Sequence, residues 1–259
     1  MHASEREQAI LDLLQQRGFI SFRDIEKQVE ASPATLRRDL ERMAVDGRIS
    51  RVRGGAKLAA DRPDADSVPR LAGVPFHENI SRHRKEKEAI GLAAAALCAS
   101  GSAIMIDGGS TTLQMCRHLE GKQLQVLTNS LHIVSALLPQ AGTRVLVPGG
   151  SVFREQNIIL TAAGDDTMPR FHAPKLFMGA AAVGIQGVMQ ADVVLVAAER
   201  RLIERAEELI LLVDSSKFQG SGNVVCDLKE VDVVVTDSGI SKGDATMLRR
   251  AGIKVIVAR

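Results

Sequence analysis

Aromatic residues are scarce in this chain of 259 residues, which has seven Phe and neither Trp nor Tyr. Single-stranded nucleic acids are held by stacking of their bases on aromatic side chains, so this composition argues against that class of binding protein. The net charge is only +2, so any basic surface must be local. No apolar run reaches the ~18 residues that a membrane span needs, and the stretch Met1–Gln8 is polar. We therefore expect a cytoplasmic protein with no signal peptide and no membrane partner.

Cysteine is rare as well, and the three cysteines Cys98, Cys116 and Cys226 show no C-x-x-C spacing. An odd number without that spacing predicts reduced, buried side chains rather than disulfides. Cys116 and His118 form the only close Cys/His pair in the sequence, and two ligands do not make a zinc site. The sequence thus predicts no metal and no other cofactor.

The first sixty residues predict three short helices. Glu5–Gln16 carries an apolar stripe at helical spacing, and Ser21 precedes Asp24 by three residues, which is a capping-box spacing. A third helix is predicted to open at Ser32-Pro33, because Ser caps a helix well and Pro suits its first position. That helix runs to about Val45. A short helix, a tight turn and a further helix are typical of the helix-turn-helix fold that enters the DNA major groove.

The third helix separates apolar from basic residues when it is projected at helical spacing. Leu36, Leu40 and Met43 fall on one stripe, and Thr35 lies with arginines on the opposite side. The segment 37–57 has seven basic and three acidic residues, a local charge of +4, and its end reads as a β-hairpin wing. These features predict binding to double-stranded operator DNA; a solvated helix and a protein–protein module are the alternatives. The residues expected to contact DNA are Ser32, Ala34, Thr35, Arg37, Arg38, Arg42, Arg51 and Arg53.

A Pro-containing stretch without periodicity separates this region from the remainder of the chain. We expect a winged helix-turn-helix domain over 1–58, a linker over 59–75 and an effector-binding domain over 76–259. Strands are predicted at 103–106, 124–127, 145–147, 176–178, 209–213, 231–235 and 254–257. Helices are predicted at 82–99, 112–119, 130–138, 200–208 and 242–251. This alternation predicts an α/β fold with a mostly parallel sheet that is covered on both faces.

The stretch Ile106–Thr112 reads as the end of a strand, a tight glycine loop and the start of a helix. The unpaired backbone N–H groups at the start of a helix bind anions. The hydroxyls of Ser110, Thr111 and Thr112 can in addition donate hydrogen bonds to phosphate oxygens. The alternative is an ordinary strand-to-helix turn in which Ser110 is the N-cap.

Other polar clusters follow the predicted strands, where ligands of parallel sheets bind. Asp107 and Asn129 can hold sugar hydroxyls, although either can instead cap the following helix. Lys217 follows a buried strand by four residues, so its charge can complete a phosphate pocket; the alternative is a solvated surface lysine. The charged run 85–88, which includes Lys87, is interpreted as solvent-exposed.

Two sets of motifs resemble the DeoR family of bacterial sugar-catabolism regulators. They are Ser32-Pro-Ala-Thr-Leu-Arg-Arg-Asp-Leu40 with Arg53-Gly-Gly-Ala56, and then Asp107-Gly-Gly-Ser-Thr-Thr112, Thr128-Asn-Ser130, Gly149-Gly150 and Asp214-Ser-Ser-Lys217. The resemblance covers nearly the whole chain. It implies a sensor half related to ribose-phosphate isomerases that binds a phosphorylated sugar, and it adds Glu199 to the expected site.

The expected effector-binding residues are Asp107, Gly108, Gly109, Ser110, Thr111, Thr112, Asn129, Ser130, Gly149, Gly150, Arg154, Glu199 and Lys217. The segment 179–184 is apolar where many relatives carry hydroxyls, which bears on the ligand that fits. Spacing around 109–111 and 150–161 is most similar to the ascorbate-utilisation repressor branch of the family.

A sugar-phosphate isomerase with an added helical module is the alternative function. The related isomerases use a carboxylate base and a nearby Lys in a glycine-rich loop, because proton transfer needs a titratable group within reach. The corresponding segment 179–187 has no Asp, Glu or Lys, and Asp107 reads as a lone acid. The sequence therefore predicts a repressor of a carbohydrate catabolic operon and not an enzyme. Paired half-sites in operator DNA predict a homo-oligomer, either a dimer or a tetramer.

Overall fold

The computed structural model describes residues 3–17, 19–29, 31–45, 49–52, 55–58, 76–161 and 167–258. The chain divides into two compact units, Met1–Val68 and Pro69–Arg259, which are considered separately. The predicted linker 59–75 and the predicted DNA contact Arg53 lie outside the described residues, and only the backbone is described for Arg51.

The N-terminal unit contains three helices and a small antiparallel sheet. The helices are α1 (Ala3–Arg17), α2 (Phe22–Gln28) and α3 (Pro33–Val45), and the strands are β1 (Phe19–Ser21), β2 (Ile49–Val52) and β3 (Gly55–Leu58). The strand order is β1-β3-β2, so the predicted hairpin wing is present as β2 and β3. No strand is predicted at 19–21, but β1 lies there and pairs with β3.

The apolar stripe predicted on α3 forms the core of this unit. Leu36, Leu40 and Met43 are buried and pack in one cluster with Ile10 of α1 and Ile25 of α2. The burial of this stripe leaves the opposite side of α3 toward solvent, as the projection predicts.

The C-terminal unit is built on a seven-stranded sheet in which every strand pair is parallel. Its helices are α4 (Phe76–Asn79), α5 (Arg84–Ala95), α6 (Ser110–Met115), α7 (Leu131–Leu137), α8 (Val193–Ile203) and α9 (Lys242–Arg250). Its strands are β4 (Ala103–Ile106), β5 (Gln125–Leu127), β6 (Arg144–Leu146), β7 (Ser151–Phe153), β8 (Ile158–Leu160), β9 (Ala173–Met178), β10 (Ala182–Gly184), β11 (Gly187–Gln190), β12 (Ala206–Leu212), β13 (Asn223–Cys226), β14 (Val233–Thr236) and β15 (Lys254–Val257). The large sheet has the order β15-β14-β12-β9-β4-β5-β6.

Both faces of this sheet are covered, which confirms the predicted fold class. Successive strand residues alternate between two core clusters: Ile104 and Ile106 lie in one, whereas Met105 lies in the other. The first cluster includes Ile90 of α5, and the second includes Leu202 of α8. Among the described residues, no helix is both long and apolar enough to cross a membrane.

The region between β9 and β12 differs most from the predicted elements. The helix predicted at 200–208 is α8, which begins at Val193 after Asp192 accepts a hydrogen bond from the Val194 N–H at 3.0 Å. β12 already begins at Ala206, because it pairs with the long strand β9. Two features were not predicted, a three-stranded antiparallel sheet of order β10-β11-β13 and the hairpin of β7 and β8.

Candidate functional site

The exposed side of α3 carries most of the residues predicted to contact DNA. Ala34, Arg37 and Arg38 are exposed, and Thr35 is half-buried. Ser32 caps the helix, since its Oγ accepts a hydrogen bond from the Thr35 N–H at 3.2 Å. The guanidinium of Arg37 lies 5.2 Å from the centre of the Phe22 ring, an arrangement that restrains this side chain over α2.

Arg42 belongs to an ion-pair network that joins α3 to α1. Its guanidinium contacts Glu7 and lies 2.9 Å from Asp39, and the other carboxylate oxygen of Asp39 lies 2.8 Å from Arg6. Asp39 is 3% exposed. These ion pairs position α3 on α1, and Arg42, whose side chain is 50% exposed, stays a predicted DNA contact.

Replacement of Asp39 by Ala is expected to loosen the packing of α3 on α1. Loss of a buried acceptor of charged hydrogen bonds costs about 1–3 kcal/mol, because the bonds that Asp39 accepts from Arg6 and Arg42 are removed together. Hydrogen exchange of the α1 and α3 amides should therefore become faster in the full chain, whereas exposed Asp12→Ala should change it little. Equal exchange in both variants would contradict the structural role of the network.

The candidate effector site lies at the carboxyl edge of the large sheet, where β4, β9 and β12 are neighbours. The Asp107 Oδ2 accepts a hydrogen bond from the Gly179 N–H at 3.2 Å, which joins the loops after β4 and β9. Gly108 has no room for a side chain, because a Cβ there would lie 2.5 Å from Cγ2 of Ile158. The loop after β4 is thus closely covered by the hairpin that contains β8.

The hydroxyl residues of this loop have different roles. α6 begins at Ser110 with Gly109 as its N-cap, so Ser110 is not the cap that the alternative interpretation required. The Thr112 hydroxyl donates to the carbonyls of Asp107 and Gly109 at 2.7 and 2.8 Å, so it supports the loop and is not available as a phosphate donor. Ser110 and Thr111 remain candidates. α6 starts two residues earlier than predicted and runs directly into a 3₁₀ helix at Cys116–His118, so the helical stretch covers most of the predicted range 112–119.

The two polar residues that follow β5, Asn129 and Ser130, have different roles. Ser130 caps α7, since its Oγ accepts from the Ile133 N–H at 3.4 Å. The Asn129 Oδ1 is buried and finds no hydrogen-bond partner among the described residues. A buried carbonyl oxygen without a partner is costly, so Asn129 is better suited to bind a ligand hydroxyl than to cap the helix.

A second buried carboxyl group lies near Asp107, so the prediction of a lone acid is wrong. Glu199 on α8 is 3% exposed; its Oε1 accepts from Nε2 of Gln190 at 2.6 Å, and its Oε2 has no partner within the described part of the chain. Burial raises the pKa of Asp107 to about 6, and burial together with the Asp107 charge raises the pKa of Glu199 well above its ordinary value. The raised pKa favours the neutral form of the Glu199 carboxyl, which can donate a hydrogen bond as well as accept one.

Two lysines approach each other at the same edge. Lys217 follows β12 and is half-buried. Lys87 on α5 was interpreted as solvent-exposed, but it is only 1% exposed. Burial and then the Lys217 charge lower the pKa of Lys87 to about 8, while Asp214 opposes them. Lys87, Ile90 and Ala94 share one buried stripe of α5, a spacing that could have revealed the buried lysine.

Three predicted residues belong to the hairpin of β7 and β8 and are not joined to Asp107 by any described contact. Gly150 has φ +154°, and a Cβ there would lie 2.1 Å from the Leu160 carbonyl oxygen, so the strand pairing itself requires glycine. Gly149 is exposed, and its carbonyl accepts from the Thr167 hydroxyl at 2.9 Å. Arg154 is exposed in the turn of the hairpin.

A cleft of about 330 Å³ opens beside Asn129. β8 residues Ile159 and Leu160 line one side, and α8 residues including Ala198 and Arg201 line the other. A shallower depression along α9 contains none of the predicted effector residues. Among the described residues, no group of three or more His, Cys, Asp or Glu side chains is placed to hold a metal ion.

Comparisons with known proteins match both units. Residues 6–62 match the model of the DeoR-like helix-turn-helix domain, and residues 82–238 match the model of the DeoR C terminal sensor domain. The chain is 26% identical over 257 residues to the HTH-type transcriptional regulator UlaR of Escherichia coli (strain SMS-3-5 / SECEC) and to that of Shigella flexneri, with 99% of each chain covered. Among solved structures, ribose 5-phosphate isomerase A from Methanocaldococcus jannaschii is 15% identical with a TM-score of 0.39, covering 52% of this chain and 54% of that one.

Proposed function

The chain belongs to the DeoR family of transcriptional regulators, and we propose that it represses a carbohydrate catabolic operon until a phosphorylated sugar occupies the edge of its large sheet. Its helix-turn-helix unit binds operator DNA, and its sensor unit responds to the sugar. Because the proposed partner is chromosomal operator DNA, the cytoplasm is the compartment in which it acts.

The charge balance around Lys217 supports a phosphorylated ligand best. The charges that act on Lys87 are those of two further cations, Lys217 and Arg82, and of one carboxylate, Asp214. Three cations against one carboxylate leave two positive charges unbalanced within this group. A phosphate monoester carries about −1.5 to −2 charges at neutral pH and matches that excess. Asp107, Asn129 and Glu199 then offer polar groups for the hydroxyls of the sugar.

The exposed side of α3 supports DNA recognition by Arg37 and Arg38. Two copies of α3 would read two half-sites about one helical turn apart, so we propose a homodimer or tetramer. Ligand changes operator affinity only if it binds one conformation better than the other.

The proposal is tested by selecting operator sequences from a random duplex pool and measuring their affinity by fluorescence anisotropy. Titration with phosphorylated sugars and their unphosphorylated counterparts should identify a phosphorylated compound that lowers operator affinity. No selected sequence, or release only by unphosphorylated sugars, would contradict the proposed repressor or the proposed ligand, respectively.

Arg38→Ala is expected to weaken operator binding, because the exposed guanidinium is placed to reach a base or a phosphate. If it contacts a base, the loss should be about 1–3 kcal/mol on the operator and smaller on unrelated duplexes. If it contacts only a phosphate, the loss should be uniform and the salt dependence should decrease. Arg249→Ala, an exposed arginine on α9, is the matched control. An Arg38 variant that binds like this control would remove Arg38 from the interface.

The paired carboxyl groups also favour a second candidate function, isomerisation of a sugar phosphate. A carboxyl group with a pKa of about 6 is suited to proton transfer near neutral pH, and Asp107 has such a pKa. Incubation of the full chain with aldose and ketose phosphates tests this function. Interconversion that Asp107→Asn abolishes would establish turnover, whereas binding without interconversion would exclude it for the sugars tested.

A further inference from the structure

The first described segment after the predicted linker is the short helix α4, and it is held at three points. The Phe76 N–H donates to the Glu155 carbonyl at 3.1 Å, and the Phe76 ring stacks on His132 with centroids 4.3 Å apart. Lys87 holds the other end, where its Nζ donates to the Asn79 carbonyl oxygen and, at 3.1 Å, to Oδ1 of Asn79. The residues that precede α4 in sequence lead to the DNA-binding unit.

The elements that hold α4 also border the effector site. Glu155 lies in the hairpin whose Ile158 covers Gly108, and Lys87 shares its electrostatic surroundings with Lys217. Lys87 is therefore the one side chain among the described residues that is seen both to hydrogen-bond α4 and to interact with the proposed phosphate ligand Lys217.

The ammonium group of Lys87 has an incomplete set of partners in this position. Its hydrogen bonds go to two neutral oxygens of Asn79, while the nearby charges include two further cations and only Asp214 as a carboxylate. The bonds to Asn79 join an ion to neutral oxygens, whereas a phosphate would add the attraction between two opposite charges, which is stronger and acts over a longer distance. A phosphate dianion between Lys87 and Lys217 would thus compete well with Asn79 for the ammonium group.

We propose that Lys87 couples the two units: it anchors Asn79 when the site is empty, and a bound phosphate draws it away and releases α4. Release of α4 frees the chain that leads to the DNA-binding unit and lowers operator affinity. This inference rests on the proposed function, because it requires that the site bind a phosphate group.

Lys87→Met tests the coupling without any ligand, since Met retains the unbranched buried stem but removes the donor. We expect amides 76–83 to exchange at least about tenfold faster than in the wild type, because Lys87→Met removes two charged hydrogen bonds to Asn79 and the loss of one alone corresponds to about that factor. Operator affinity should fall by a comparable factor even without sugar phosphate. Lys85→Met, an exposed lysine two residues away, is the matched control and should behave like the wild type.

Phe76→Ala provides a second route to the same released state, in case Lys87→Met disturbs the packing of α5. It removes the ring stacking on His132 and leaves the charged cluster intact, so it should also speed exchange at 76–83 and weaken operator binding. If neither variant changes the exchange of 76–83, or if both change it without any loss of operator affinity, the coupling is wrong.

Inorganic phosphate, used as the probe, separates failure of the coupling from failure of the site. In the wild type it should raise Tm and speed exchange at 76–83; in Lys87→Met the exchange should already be fast and should not change. A rise in Tm without faster exchange would overturn the coupling but leave the phosphate site intact. No rise in Tm would count against the proposed phosphate site, and the ligand-free variants would still decide the coupling.

Discussion

Lys217→Ala is expected to abolish the response of operator binding to sugar phosphate. Lys217 supplies one of the two lysine charges at the carboxyl edge, and a charged hydrogen bond contributes about 1.5–3 kcal/mol. The affinity for the phosphorylated sugar should therefore fall by a factor of roughly ten to one hundred. Fluorescence anisotropy of labelled operator, titrated with the sugar phosphate that the screen identifies, measures this shift.

Lys229→Ala is the matched control for this prediction, because Lys229 is exposed. Operator binding without sugar serves as the check that the variant is folded. A Lys217 variant that responds at the same sugar phosphate concentration as the control would exclude Lys217 from the site.

Asp107→Asn is expected to stabilise the protein at neutral pH while weakening its response to sugar. Burial raises the pKa of Asp107 from 3.8 to about 6, so the folded chain retains this proton at pH values where the unfolded chain has lost it. The stability contributed by the protonated form is present below pH 3.8, falls as the pH rises toward 6 and then levels off. A shift of about two units corresponds to at most ~3 kcal/mol that the amide would recover at pH 7.

Scanning calorimetry of the full chain between pH 4 and 8 measures this effect. The Asn variant should have a higher Tm at pH 7 and a smaller decline in Tm between about pH 4 and 6. Glu120→Gln, an exposed carboxyl-to-amide change, should leave the pH profile as in the wild type. An unchanged profile in Asp107→Asn would mean that the folded chain does not retain this proton.

Local patterns in the sequence are sufficient to predict the fold class. The capping residues Ser21 and Ser32 fix the starts of two helices, and the stripe of Leu36, Leu40 and Met43 fixes the buried side of α3. In the sensor unit, short apolar strands that alternate with helices predict a parallel sheet, because parallel strands need helical crossovers. These features depend on residues that are close in sequence.

The elements between β9 and β12 were missed for a different reason. α8 starts with Val193 and Val194, which are exposed and β-branched, so this turn of helix resembles a strand in sequence. The strands of the antiparallel sheet have three or four residues each and contain Gly184 and Gly187. β10 and β11 pair in a tight hairpin, but β13 joins β11 from more than thirty residues further along the chain, a pairing that periodicity does not report.

The candidate site was only partly predictable because its chemistry depends on distant residues. The loop 107–112 was found from its glycines and hydroxyls. Sequence alone did not show that Thr112 uses its donor within the loop, that Glu199 lies beside Asp107, or that Lys87 is buried. Each of these facts arises from contacts between different strands or helices.

The binding of a phosphorylated sugar at the carboxyl edge of the sheet is the central claim, and a thermal-shift screen tests it most directly. A ligand that binds only the folded state raises Tm, so pairs of phosphorylated and unphosphorylated sugars are compared on the wild type and on Lys217→Ala. We predict that the phosphorylated member of at least one pair raises Tm in the wild type and not in the variant. Stabilisation by unphosphorylated sugars alone, or equal stabilisation of the variant, would contradict the claim.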